Sequence, residues 1–251
     1  MHKLLHTKHK RKIAYNYTKG KYSFGIIFFS GFKSDMKGSK AQYIYKWCKE
    51  NNVECTIFDY SGHGNSSEDF INCDISNWIE DGMDIISEIT TNPQILIGSS
   101  MGAWIAIKIA LLIPKKIKGI ITIAAAPDFT KILWENILDQ KQKENMLKNG
   151  HISIKSHYDK NGYVITKKLI NSGNKNLILN DALLSFNFPI KLLHGAIDAE
   201  VNWSNSLDIF NKINSNDAEL IIIKNGDHRL SSENNLKTLI DTTNSLISII
   251  K

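Results

Sequence analysis

Short apolar runs alternate with amphipathic helical stretches along most of this chain, which predicts a mostly parallel sheet covered on both faces. Ile13 to Tyr17 and Phe24 to Phe29 read as the first strands, a hairpin or adjacent pair around Gly20. Ala41, Ile44, Trp47 and Cys48 then recur at helical spacing before the strand Val53 to Phe58. Ile75, Trp78, Ile79, Met83 and Ile86 mark one face of a second helix, which leads to the short strand Ile95-Leu96-Ile97. A helix beginning at Ala103, a buried strand from Gly119 to Ala125, and strands at Pro189 to Leu193 and Leu220 to Ile223 follow. Leu207, Phe210 and Ile213 predict a helix between the last two strands, and Leu236, Leu239, Ile240, Ile247 and Ile250 a closing one.

The rhythm breaks between Pro127 and Pro189, where no strand of the main sheet is legible. Phe129, Ile132, Leu133 and Ile137 predict a helix there, Asn161-Gly162 a hairpin turn, and Asp181 to Phe186 a second helical stretch. An insertion at this point hangs over the carboxyl ends of the strands, where open α/β sheets bind ligands. The expected organisation is a basic tail (1–12), a core (13–127 and 188–251) and a cap (128–187).

Composition narrows the function classes. The chain has 251 residues, enough for one α/β domain with a large core, and its net charge of +6 is modest. Its lysines are scattered apart from the stretch Lys8 to Lys12, so no nucleic-acid stripe is indicated. The longest apolar stretch, Ala103 to Ile113, is interrupted by Lys108 and closed by Pro114, too short to span a bilayer. Cys48, Cys55 and Cys73 show neither metal-ligand spacing nor an even disulfide set. Free thiols and the lack of a signal-peptide apolar core make a cytoplasmic protein the expectation. His2, His6 and His9 are read as part of a solvated tail, and no metal or cofactor is implied.

The candidate chemistry centres on Gly98-Ser99-Ser100-Met101-Gly102, lying between an apolar strand and a helix. A Gly-x-Ser-x-Gly stretch in that setting reads as a nucleophile elbow, with Ser100 at a cramped backbone position and its hydroxyl pushed into a cleft. Such a serine needs a base, and the base needs an orienting acid, in the chain order Ser, Asp or Glu, His. Asp198 follows the strand Ile190 to Leu193, and His228 follows Leu220 to Ile223, so both sit at the same sheet edge as the elbow. Glu200 is a substitute acid nearby, and Asp128 a second fallback after the preceding strand. His194 reads as a packed, hydrogen-bonded residue, Asp227 as pointing elsewhere, and His63 as part of a turn. The tetrahedral intermediate needs two backbone donors, expected from Met101 and from Phe32 in the loop Ser30-Gly31-Phe32-Lys33. Asp59 is expected to shape the loop behind the site through hydrogen bonds.

From about Phe24 onward these residues resemble the α/β-hydrolase superfamily. One branch is especially similar, that of the mitochondrial palmitoyl-protein thioesterase and acyl-glucuronide esterase of animals and their bacterial relatives. The likeness is carried by Ser30 to Ala41, Phe58 to Gly62, Pro93 to Gly102, Leu192 to Gly195 and Asp227 to Arg229. The resemblance implies an α/β-hydrolase fold with a mostly parallel central sheet of about eight strands, helices on both faces and a small cap. It also implies Ser100, Asp198 and His228 as the catalytic triad, and acyl thioesters or activated acyl esters, including acylated proteins, as substrates. The cap is rich in Lys and Asn and departs from the branch in sequence, so acyl-chain preference does not carry over.

The expected function is therefore hydrolysis of acyl esters or thioesters through an acyl-serine intermediate. Acyl transfer or peptide cleavage on the same triad, and a non-catalytic binding protein that kept the fold, are the alternatives, because fold and triad alone do not separate these chemistries.

Overall fold

A computed structural model of the chain describes residues 2–154, 162–180 and 183–250. The chain opens with strands β1 (Lys3–His6), β2 (Lys12–Thr18) and β3 (Gly25–Phe29), then helix α1 (Ser39–Glu50) and strand β4 (Glu54–Phe58). Helix α2 (Ile75–Glu88), strand β5 (Gln94–Ser99), helix α3 (Met101–Leu112) and strand β6 (Ile117–Ile123) follow. Next come α4 (Phe129–Ile132), a π-helical turn (Leu133–Ile137), α5 (Gln140–Asn149), β7 (His151–Ile154), β8 (Tyr163–Thr166), α6 (Lys167–Lys175) and β9 (Leu184–Ser185). The chain returns through β10 (Ile190–Gly195), α7 (Ser204–Lys212), β11 (Ile213–Asn214), β12 (Ala218–Ile223) and α8 (Glu233–Ile250).

Eight strands form the main sheet in the order β1-β2-β4-β3-β5-β6-β10-β12. All pairs from β4 to β12 are parallel, while β1 and β2 add an antiparallel margin. The alternation of side chains along each strand feeds two cores. Ile27, Phe29 and Leu96 face the layer of α2 and α3, whereas Ile26, Phe28, Ile95 and Ile97 face α1 and α8. Every residue of β3, β4, β5 and β10 is buried, as strands covered on both faces must be. No helix among the described residues is long and apolar enough to cross a membrane.

Three expectations are corrected by the fold. The first two long strands are not neighbours: β4 lies between β2 and β3, because the crossover through α1 returns the chain to the outer side of β3. Residues 2–12, though largely exposed, do not form a loose tail. Lys3–His6 pair with Lys12–Tyr15, and Arg11 binds the buried carboxylate of Asp81 at 2.9 Å, an ion pair that no local pattern announces. In the third case, Leu184–Ser185 pair in parallel with Ile213–Asn214 where helix was expected, and Asp181 itself lies outside the described residues. The helix of this region is α6, short and polar, and capped by Thr166, whose hydroxyl accepts from Leu169 N–H. β7 and β8 do pair as an antiparallel hairpin, although Asn161 lies outside the described residues.

Candidate active site

Ser100 sits between β5 and α3 with φ 54° and ψ −119°, a conformation that a residue with a side chain adopts only under constraint. The constraint is visible. Ser100 N–H donates to Ile123 O at 2.8 Å, and its carbonyl accepts from Ala103 and Ala126. The two elbow glycines permit the approach of strand and helix: a methyl on Gly98 would lie 2.5 Å from Gly102 O, and one on Gly102 only 2.1 Å from Phe29 O. The turn therefore aims the hydroxyl away from the sheet, toward the loops that follow β3, β10 and β12.

Those loops deliver the partners. Ser100 Oγ–H donates to His228 Nε2 across 3.2 Å. His228 Nδ1–H donates to Asp198 Oδ2 at 2.8 Å, since a carboxylate can only accept. The Asp198 side chain is inaccessible to solvent, while that of His228 is 14% exposed. Burial pushes the Asp198 carboxyl upward, but hydrogen bonds from His194, His228 and Val201 outweigh it and hold the group below the usual carboxylate range. The acid is thus ionised and fixed beside an imidazole that can gain a proton.

The alternative acids do other work. Asp128 accepts from Ile178 N–H and Leu179 N–H, both at 2.9 Å, and so ties the start of α4 to the chain after α6. Glu200 lies on the rim of the cleft, and its amide donates to Asp198 Oδ1. His194 is packed and hydrogen-bonded as expected, but one of its partners is Asp198 itself, at 3.1 Å. That contact is not legible in the sequence beyond the spacing of four residues across a turn.

The loop after β3 passes beside Ser100, where a methyl on Gly31 would come within 3.4 Å of Ser100 Cβ. Asp59 Oδ1 accepts Met36 N–H at 2.7 Å, and His63 Nε2 accepts Lys33 N–H at 3.2 Å, so the loop after β4 braces this one. His63 therefore has a role that its turn position did not disclose. Phe32 stands at the centre of an aromatic cluster with Phe70, Trp78, Phe129 and Tyr163, which holds its ring in place. Met101 opens α3, where first-turn amides have no partner within the helix and the helix dipole favours negative charge.

A cleft of about 530 Å³ runs from Ser100 and His228 between the loop after β3 and the residues following His228, with Lys33, Lys40, Tyr163 and Glu200 among its walls. Tyr163 is the described residue between 128 and 187 that lines it. Phe129, Leu133 and Trp134 turn inward and pack on the core, Phe129 edge-on to Trp104 and Phe32.

Residues 25–161 match the hydrolase family described as serine aminopeptidase, S33. The chain is 35% identical to the mitochondrial palmitoyl-protein thioesterase of rat (Rattus norvegicus) over 236 residues, 94% of this chain and 78% of that one. The structure of the alpha/beta hydrolase domain-containing protein 10 from mouse superposes over the whole of both chains with TM-score 0.91 and 31% identity. The human mitochondrial palmitoyl-protein thioesterase (Homo sapiens) is 34% identical over the same share of this chain and 76% of its own. These mitochondrial relatives overturn the cytoplasmic expectation. Cys48, Cys55 and Cys73 are all buried, so their free state names no compartment.

Proposed function

Since the chain belongs to the serine aminopeptidase S33 family of α/β hydrolases, we propose that it cleaves acyl thioesters and esters through an acyl-Ser100 intermediate, with Ser100, His228 and Asp198 as its catalytic triad. The protein is an enzyme of the class that acts on ester or thioester bonds. One observation carries the finer reading: three side chains from three distant loops form a single hydrogen-bonded chain ending on a serine at the elbow.

In this mechanism Ser100 Oγ attacks the acyl carbonyl while His228 Nε2 takes the hydroxyl proton and Asp198 holds the resulting imidazolium. Negative charge collects on the carbonyl oxygen, toward which the amides of Phe32 and Met101 donate. Collapse of the tetrahedral species breaks the bond to sulfur or oxygen, and His228 returns its proton to the leaving thiol or alcohol. Water then attacks acyl-Ser100 with His228 again as base, releasing the carboxylic acid and restoring the serine. Residues 128–187 act as a cap, contributing Tyr163 to the wall of the cleft. The inclusion of thioesters among the substrates is supported by the palmitoyl-protein thioesterases among the relatives.

The test is labelling with a fluorophosphonate, wild type against Ser100→Ala, followed by turnover of p-nitrophenyl esters of increasing length, acyl-coenzyme A and peptide amides. Labelling lost in Ser100→Ala together with ester and thioester turnover is the expected result. Equal labelling of both proteins would defeat the acyl-serine mechanism, and amide cleavage well above ester cleavage would favour a peptidase.

A further inference from the structure

Asp198 is held by more than the base it is proposed to orient. Its Oδ1 accepts the amides of Glu200 and Val201, each at 2.9 Å. Its Oδ2 accepts from two imidazoles, His228 at 2.8 Å and His194 at 3.1 Å. We infer that His194 is a positioning residue for the reaction, locking the Asp198 carboxylate in the one orientation that presents Oδ2 to His228. This role rests on the acyl-serine reading above.

The hydrogen placement follows from the contacts. His194 Nε2 faces two acceptors, Asp198 Oδ2 and the carbonyl of Val201 at 3.0 Å, so Nε2 carries a hydrogen shared between them. The other ring nitrogen, Nδ1, pairs with the Ser206 hydroxyl at 2.7 Å. Hydrogen bonds therefore run without a break through Ser206, His194, Asp198, His228 and Ser100, from the first turn of α7 to the nucleophile.

Burial makes the arrangement costly unless it is complete. His194 and Ser206 have no exposed surface, and the Asp198 side chain has none either. A leucine or phenylalanine would fill the same core volume with no polar atom to satisfy, whereas this histidine uses both nitrogens on specific partners. Removing it leaves the carboxylate held by the two amides on Oδ1 and by His228 alone on Oδ2, so the oxygen that orients the imidazole toward Ser100 loses its second anchor. His194 is absent from the walls of the cleft, so it acts through Asp198 and does not touch substrate.

The experiment compares wild type with His194→Phe, His194→Gln, Ser206→Ala and Ser100→Ala, reading thermal stability, kcat and KM for one ester, and the far-downfield proton resonance of His228 Nδ1–H. His194→Phe should lower kcat roughly 10- to 100-fold while KM stays within about twofold, and should shift or abolish that resonance. His194→Gln places an amide nitrogen near the Nε2 position and should recover most of both. If His194→Phe does not fold, Ser206→Ala, which removes only the hydroxyl partner of Nδ1, should still show a severalfold loss in kcat at constant KM. Wild-type kcat in folded His194→Phe or in Ser206→Ala, or a Gln variant no better than Phe at equal stability, would overturn the role. Turnover that survives Ser100→Ala would instead overturn the acyl-serine reading itself, whatever the His194 variants do.

Discussion

Lys33 N–H donates to His63 Nε2 across 3.2 Å, joining the turn after β4 to the loop that passes Ser100. The other ring nitrogen, Nδ1, faces the carbonyl of Ser61 at 3.2 Å and so carries the hydrogen. A protonated ring would point N–H at N–H, which makes the neutral form the one this loop requires. Burial against Tyr60, Phe70 and Trp78 pushes the His63 pKa down to about 4, with the bond to Ser61 pulling the other way.

A pH dependence of stability follows from that neutral ring. Below about pH 6.5 an unfolded histidine takes a proton that native His63 refuses, so the unfolded state gains. The contribution is whole above about 6.5 and is lost as pH falls toward 4, at up to about 1.4 kcal/mol per pH unit. Urea unfolding at several pH values across this window should show a steeper loss in wild type than in His63→Phe. Identical slopes would mean that His63 does not titrate as its surroundings require.

Gly102 has no room for a side chain. The methyl of Gly102→Ala would meet Phe29 O at 2.1 Å and Ser30 O at 2.5 Å, both backbone atoms that cannot swing aside. The variant is expected to lose about 3 kcal/mol or more, measured by denaturant unfolding, and to shift Ser100 out of place. A variant of native stability and activity would show that the elbow relaxes far more easily than its packing implies.

His228→Ala should lower kcat by about three orders of magnitude or more, because among the described residues His228 is the base hydrogen-bonded to Ser100. Asp198→Asn is expected to cost on the order of 10⁴ in kcat, since an amide at Oδ2 can favour the wrong tautomer of His228. Steady-state kinetics on an ester substrate, with folding checked by circular dichroism, decides both. Rates near wild type in either variant would remove that residue from the mechanism.

Arg11 anchors the β1–β2 margin to the helical layer through Asp81 and Glu80, each at 2.9 Å. Asp81 is wholly buried and otherwise accepts from Ser61. Arg11→Met would leave that carboxylate without its cation, at an expected cost of about 3–5 kcal/mol in thermal or chemical unfolding. A loss below about 1 kcal/mol would place this pair with ordinary surface ion pairs.

Much of this molecule is legible in its residue order. Gly98 and Gly102 flank Ser100 where strand meets helix, and His228 and Asp198 each follow an apolar run, so their sheet edge can be read from period and spacing alone. The aromatic and aliphatic face of Phe129 to Trp134 is legible as apolar, but its destination is not: a roof over substrate and a surface packed on Trp104 demand the same pattern. Arg11 looks like one more charge in a basic stretch until Asp81 of α2 is brought beside it.

Sequence alone thus determined the alternation of strands and helices, the elbow, and the chain order of serine, acid and histidine, because each depends on neighbours a few residues apart. Tertiary structure decided that β4 separates β2 from β3, that Lys3–His6 join the sheet, and that His194 shares an oxygen of Asp198 with His228. These outcomes depend on which surfaces meet after the chain closes on itself. A buried hydrogen-bonding group takes its partner from what lies within 3 Å or so, not from what lies near in sequence.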